Sequence, residues 1–264
     1  MTTTRIRDAL RGHDIATSCW VTGTSPSNAE AIGHVGYDAV IIDMQHTMAG
    51  FESVTHSLLA LAGTSASTIV RVPNNDSALI QRLLDAGADG IMCPLVNSVD
   101  DAVRFVDAVR YPPVGNRSFG AYRAHGGMVE YFRRANNEVL AIVQIETVQA
   151  LAEAEEIAAV AGIDMLFPGP GDLAISHGRE PNFSLADDTV EGWHRRIANA
   201  AHASDKWAGM LALTEEDVAR GIDWGYDMLS PAMERSILVG GALRALHSVQ
   251  AASESRAMAS SGGR

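Results

Sequence analysis

An α/β chain closed into a (β/α)8 barrel is the architecture this sequence predicts, on three observations. Eight short β-rich runs alternate with helix-like segments along 264 residues, which implies parallel strands joined by crossovers. Eight is also the strand number that closes such a barrel. The competing doubly wound sheet needs a G-x-G-x-x-G turn after its first strand, and VTGTSPSN (21–28) has no such pattern.

The strand candidates, in order, are TSCWV (17–21), DAVIID (38–43), STIVRV (67–72), DGIMCP (89–94), EVLAIVQIE (138–146), DMLFPG (164–169), WAGMLAL (207–213) and YDMLS (226–230). Their nearly continuous apolar character suits strands buried on both faces. Helical patterns fill the intervals at 28–36, 52–63, 77–87, 98–111, 148–162, 190–204 and 214–225. Several end in Gly just before the next strand, as in LLDAGADG and AAVAGIDM, and Gly is favoured beyond a helix C-terminus. Two stretches fall outside the alternation. PPVGNRSFGAYRAHGGMVEYFRRANN (112–137) reads as a long insertion, a length that in compact domains signals function or disorder. The expected domain organisation is one barrel over residues 1–250, ending in the helix-like LVGGALRALHSVQ, and a mobile Ala/Ser/Gly-rich tail over 251–264.

A net charge of −12 and a pI near 5.1 argue against nucleic acid or an anionic membrane as the main partner, while leaving room for an anionic small molecule at a locally positive site. Cys19 and Cys93 lie in strand-like runs and read as buried thiols, which fits a reducing cytoplasm. MTTTRIRDALRG lacks the apolar core of a signal peptide, and no apolar run approaches a membrane span. A soluble cytoplasmic protein is expected.

Barrel chemistry sits at the C-terminal ends of strands and in the loops that follow. The second strand ends in Asp43 and His46, the third carries Arg71, the fifth ends Gln144-Ile145-Glu146, and the sixth runs into PGPGD ending at Asp172. Asp85 lies on the helix before the fourth strand. Glu146 and Asp172, two hard carboxylates from adjacent strands, suit a divalent cation such as Mg²⁺ or Mn²⁺. Capping of the following helices is the structural alternative for both. Arg71 inside an apolar strand needs a partner, and Asp43 is one; its guanidinium could equally meet a substrate carboxylate or a developing oxyanion. His46 is placed to act as a general base. The stiff PGPGD loop lets a ligand approach the N–H groups of Gly171 and Asp172. Lys206 is the only lysine and precedes the seventh strand, away from the expected active end, which counts against Schiff-base chemistry.

Together these stretches resemble the HpcH/HpaI family of metal-dependent class II pyruvate aldolases. The matching segments are IIDMQH (41–46), RVPNND (71–76), LLDAGADGIMCPLV (83–96), RYPPVGNRS (110–118), VQIET (143–147) and GIDMLFPGPGDLAISHG (162–178), and the likeness runs from about Cys19 to Leu246. The resemblance implies a (β/α)8 barrel whose additional C-terminal helix is exchanged with a neighbour, in homohexamers built as trimers of dimers. It implies reversible retro-aldol cleavage of a 4-hydroxy-2-oxo acid to pyruvate, or a close 2-oxo acid, and an aldehyde. Glu146 and Asp172 would hold the divalent metal (Mg²⁺ or Mn²⁺, with Co²⁺ or Zn²⁺ as alternatives), which would chelate pyruvate or its enolate. The amides of Gly171 and Asp172 would hold the carboxylate, Arg71 the enolate oxygen, and Gln144 would support the metal's shell. His46, linked to Asp85 across a subunit boundary and to Asp43, would activate a water for proton transfer. The chain departs from the family at Gln45, where Glu is usual, and at Gly115-Asn116-Arg117-Ser118. Its loop FGAYRAHGGM (119–128) is also distinct, which leaves the aldehyde open, with Tyr122, Arg123 and His125 as candidate contacts. Alternatives are a citrate-lyase-β or malyl-CoA-lyase-like activity, or a silent barrel that binds a keto acid.

Overall fold

The computed structural model describes residues 5–12, 15–123 and 127–261, with side chains up to Ser253. In chain order the elements are α1 (Arg5–Arg11), β1 (Ala16–Val21), α2 (Pro26–Gly33), β2 (Ala39–Asp43), α3 (Phe51–Leu61), β3 (Ser67–Arg71), α4 (Ser77–Asp85), β4 (Gly90–Cys93), α5 (Val99–Val109) and α6 (Met128–Glu138). There follow β5 (Leu140–Ile145), α7 (Val148–Ala152), α8 (Ala154–Ala158), β6 (Met165–Pro168), α9 (Pro170–Ser176), α10 (Asp188–Ala203), β7 (Trp207–Leu211), α11 (Glu215–Asp223), β8 (Met228–Met233) and α12 (Glu234–Ser261). The strands pair in parallel in the order β1 to β8, and β8 returns to β1, so the sheet is a closed barrel.

All eight predicted strands form, because each is a run that the helices bury outside and the barrel buries inside. The helices start at side-chain caps: Asp76 on α4, Ser98 on α5, Thr147 on α7, Asp187 on α10 and Thr214 on α11 each accept backbone N–H groups of the first turn. The predicted helix over 148–162 is two short helices, α7 and α8, meeting at Glu153. The stretch 112–137 is not a structureless insertion; its second half is α6, whose sequence buries only Ala135 and so lacks an apolar stripe. The backbone of 251–261 continues α12 without a break at residue 250, so the expected tail begins as helix.

Two apolar clusters fill the molecule. One lies between strands and helices and takes Val40, Ile42, Val70, Val143, Ile145 and Leu166. The other fills the bore with Trp20, Ala39, Ile41, Ile69, Met92, Leu140, Ile142, Met165 and Phe167, and α1 closes its lower end with Ile6 and Leu10. Gly209 leaves room there, since a Cβ would stand 2.8 Å from Met165 Sδ. Side chains alternate between the two clusters along each strand, as barrel geometry requires. That alternation sets up the site: Asp43 follows Ile41 by two, Arg71 follows Ile69 by two, and Gln144 follows Ile142 by two.

Candidate active site

At the C-terminal end of the bore a cavity of about 1050 Å³ opens above an aromatic floor of Trp20 and Phe167, whose rings meet edge to face at 6.0 Å. Asp43, His46, Arg71, Gln144, Glu146, Gly171 and Asp172 all line it. The sequence placed these residues at one rim, and the structure gathers them.

Asp43 and Arg71 end neighbouring strands at directly paired register positions. Arg71 Nε donates to Asp43 Oδ1 at 2.8 Å and Nη2 to Oδ2 at 2.7 Å, a two-pronged ion pair with Asp43 only 3% exposed. Asp43 Oδ1 also accepts from the Gln45 N–H at 2.9 Å. Trp20 supports the guanidinium from its face, 4.7 Å from ring centre to Cζ. Asp43 thus holds one edge of the guanidinium, and Nη1 donates to Gln144 Oε1 at 3.5 Å. The pairing expected between Asp43 and Arg71 is therefore present, and it leaves one edge of the guanidinium toward the cavity.

Glu146 is 2% exposed. Its Oε1 accepts the Leu95 N–H at 2.7 Å, and Leu95 adopts φ 52° to present it. A left-handed leucine costs conformational energy, so the turn after β4 is strained where it holds this carboxylate. Burial first, and Asp172 in addition, raise Glu146 to about 7, against the lowering influence of the Leu95 bond and Arg71. Asp172 lies exposed in the first turn of α9, where Gly171 and Asp172 have no intrahelical acceptor for their N–H groups. The glycines of PGPGD serve packing. A Cβ on Gly169 would stand 2.5 Å from Glu146 Oε2, and one on Gly171 would stand 2.6 Å from the Phe183 ring.

The donor set fits a hard divalent cation. Neither Glu146 nor Asp172 forms an ion pair among the described residues, and burial raises the proton affinity of Glu146 further than the Leu95 N–H and the charge of Arg71 lower it. No group of three or more His, Cys, Asp or Glu side chains suited to a metal occurs among the described residues. Two carboxylates would leave most coordination positions to water and substrate, as Mg²⁺ and Mn²⁺ accept.

Asp85 is not brought to this cluster within the chain. It ends α4, and its Oδ1 accepts from Arg117 Nη2 at 2.9 Å, while Arg117 Nη1 donates to Tyr131 Oη at 3.0 Å. Tyr122 and Arg123 do not line the cavity either; Arg123 Nη1 donates to the Ala86 carbonyl at 3.2 Å. His125 lies outside the described residues. Sequence reasoning missed Trp20, the Leu95 amide, Phe183 and the β8 end. Only Trp20 carried a signal, its even-numbered alternation with Ser18 and Ala16.

Comparison with known proteins agrees with this geometry. The model of the HpcH/HpaI aldolase/citrate lyase family matches residues 16–239. A 2-dehydro-3,6-dideoxy-6-sulfogluconate aldolase of Pseudomonas putida is 38% identical, over 84% of this chain and 88% of its own. A hydroxypyruvate/pyruvate aldolase of Roseovarius nubinhibens is 34% identical over 92% of this chain and 96% of its own. The crystal structure of an HpcH/HpaI aldolase/citrate lyase family protein from Burkholderia cenocepacia superposes with a TM-score of 0.86 at 32% identity, covering 94% of this chain and 100% of that one. A closed parallel barrel, a carboxylate pair at its C-terminal mouth and these relatives converge: the chain belongs to the HpcH/HpaI aldolase/citrate lyase family of carbon–carbon lyases.

Proposed function

We propose that the chain catalyses divalent-metal-dependent, reversible retro-aldol cleavage of a 4-hydroxy-2-oxo acid to pyruvate, or a close 2-oxo acid, and an aldehyde. The observation that carries this reading is the buried Glu146, without an ion pair among the described residues, beside Asp172, set against an arginine already held by Asp43. Glu146 and Asp172 would hold Mg²⁺ or Mn²⁺, which supplies Lewis-acid stabilisation of negative charge at the keto oxygen when bound. Gly171 and Asp172 orient the carboxylate of the 2-oxo acid through their free N–H groups. Gln144 supports the same end.

His46, exposed at the mouth, takes the proton of the C4 hydroxyl directly or through a water. The oxygen's electrons form the aldehyde carbonyl, the C3–C4 bond breaks, and its electron pair becomes the enolate of the 2-oxo acid. Arg71 would donate to that enolate oxygen from Nη1, which lies beside Gln144, a donor positioned by Asp43 before the charge develops. Return of a proton to C3 completes cleavage, and the same steps run backward in condensation. Asp85 would orient His46 of a neighbouring subunit.

Assembly follows from α12. Val239, Leu243, Leu246 and Val249 are exposed at helical spacing. We infer that this helix is exchanged with a neighbour in a homohexamer, and light scattering coupled to gel filtration tests it. No helix among the described residues is long and apolar enough to cross a membrane. A reducing compartment such as the cytoplasm suits Cys19 and Cys93, both free and buried. The activity is tested by following exchange of the pyruvate methyl protons in D₂O with Mg²⁺ or Mn²⁺. Absence of metal-dependent exchange overturns the aldolase reading, and cleavage of a panel of 4-hydroxy-2-oxo acids then identifies the aldehyde.

A further inference from the structure

The groups assigned to the 2-oxo-acid half come from one side of the ring: Arg71 from β3, Gln144 and Glu146 from the end of β5, Asp172 after β6. The arc from β7 through β8 to β1 supplies another part of the lining, beside Asp43, His46 and Met48 at the β2 end and Phe183 after α9. Its centre is apolar, with Leu211, Leu213 and Met233. Two charged residues stand side by side where β8 passes into α12.

Glu234 is 8% exposed, and its carboxylate is fully occupied. Its Oε2 accepts the N–H groups of Thr22 at 3.2 Å and Gly23 at 2.8 Å, and its Oε1 accepts from Asn28 Nδ2 at 2.7 Å. Gly23 must be glycine for this approach, because a Cβ would stand 2.9 Å from Oε2. These bonds tie the first turn of α12 to the loop after β1 and the start of α2. Glu234 is thus a positioning residue.

Arg235, the next residue, lines the cavity and is exposed. It has no hydrogen bond, ion pair or ring contact among the described residues. That is unusual in a chain with 32 acidic against 20 basic residues, where most described arginines hold a carboxylate, a carbonyl or a ring. The unpartnered guanidinium stands where β8 passes into α12, on a different part of the ring from Glu146 and Asp172, and lines the same cavity.

We propose that Arg235 binds the anionic far end of the aldehyde half of the substrate. The aldehyde is then one that carries a carboxylate or sulfonate beyond a short chain lying over Leu211 and Met233. The geometry matches a guanidinium's preference for paired oxyanion acceptors. The inference rests on the aldolase reading and extends it to the substrate class.

The test uses full-length protein with Mn²⁺ and pyruvate, and three aldehydes: 4-oxobutanoate, its neutral amide, and 3-oxopropane-1-sulfonate. The quantity read is the ratio of kcat/KM for each anion to that for the amide. Arg235→Gln lowers the ratio for the preferred anion about tenfold, the size expected for one charge-assisted hydrogen bond at a wet site. Arg235→Lys keeps most of it, Arg235→Glu reverses it, and salt erodes the wild-type preference. The preferred anion tells carboxylate from sulfonate. An unchanged ratio in Arg235→Gln and Arg235→Glu overturns the inference while pyruvate proton exchange in the wild type still upholds the aldolase reading. Failure of wild-type exchange removes both.

Discussion

Replacing Glu146 by glutamine separates what the site needs from what the fold needs. The carboxyl titrates near 7 in the folded chain against 4.5 for an ordinary glutamate. The folded state therefore holds this proton more tightly than the unfolded state does. Stability falls as pH rises from 4.5 to 7 and stays lower above. At 1.36 kcal/mol per tenfold change in proton affinity, the penalty is about 3 kcal/mol at pH 8. Glutamine keeps an acceptor for the Leu95 N–H and carries no charge. Metal-free Glu146→Gln is thus expected to exceed the parent by up to about 3 kcal/mol at pH 8, roughly 5–10 °C in Tm for a domain of this size. The difference should vanish near pH 4. The parent is expected to be stabilised by Mn²⁺ through mass action, whereas the same variant should gain nothing from it and should not exchange pyruvate protons. Thermal unfolding in chelator and in Mn²⁺, at both pH values, provides the readings. A variant less stable than its parent at pH 8, or still stabilised by Mn²⁺, refutes the reasoning.

Other expectations follow from the same contacts. Arg71→Ala leaves Asp43 buried beside no cation, at a cost of about 3 kcal/mol or more; adding Asp43→Ala should recover much of that stability in urea titration without recovering proton exchange. Asp172→Ala should abolish metal-dependent turnover while leaving the unfolding midpoint of the metal-free protein near the parent's. Gly169→Ala drives a Cβ into Glu146 and should weaken Mn²⁺ binding by calorimetry at least tenfold, on the order of one hydrogen-bonded ligand displaced. Burial holds His194 down to about 4, so the unfolded chain takes a proton at 6.5 that the folded chain refuses. Stability accordingly falls as pH drops from 6.5 toward 4, by about 2 kcal/mol at pH 5, and His194→Leu should remove that slope in urea titrations.

The barrel was legible because a strand buried on both faces leaves a run of apolar residues that nothing else in the chain imitates. The rim residues were legible because they interrupt those runs. Elements with little apolar content were not. The helix α6 buries Ala135 alone, and α1 shows only Ile6 and Leu10, too short a stripe to separate from a polar terminus. The break between α7 and α8 has no glycine or proline to announce it. At the site, the Asp43–Arg71 pair was accessible from strand ends alone. The Leu95 amide was not, since a backbone donor in a left-handed turn leaves no mark on side-chain pattern. Nor was the contact of Arg71 Nη1 with Gln144, which depends on Asp43 taking Nε and Nη2. Asp85 shows the opposite limit: its partner within the chain is Arg117, and the expected link to His46 is not made within the chain.

The alternation along β5 amounts to a reading frame. Leu140, Ile142 and Gln144 face the bore and Ala141, Val143 and Ile145 face the helices, so the frame that packs the barrel is also the frame that delivers Glu146. Inserting or deleting one residue in β5 would turn valine and isoleucine toward the cavity and press a glutamine and a glutamate into the helix layer. Loss of fold and loss of site would arrive as a single event. Variation in this enzyme should therefore accumulate on the β7–β8–β1 arc, where Leu213, Arg235 and their neighbours can change without shifting any strand out of frame.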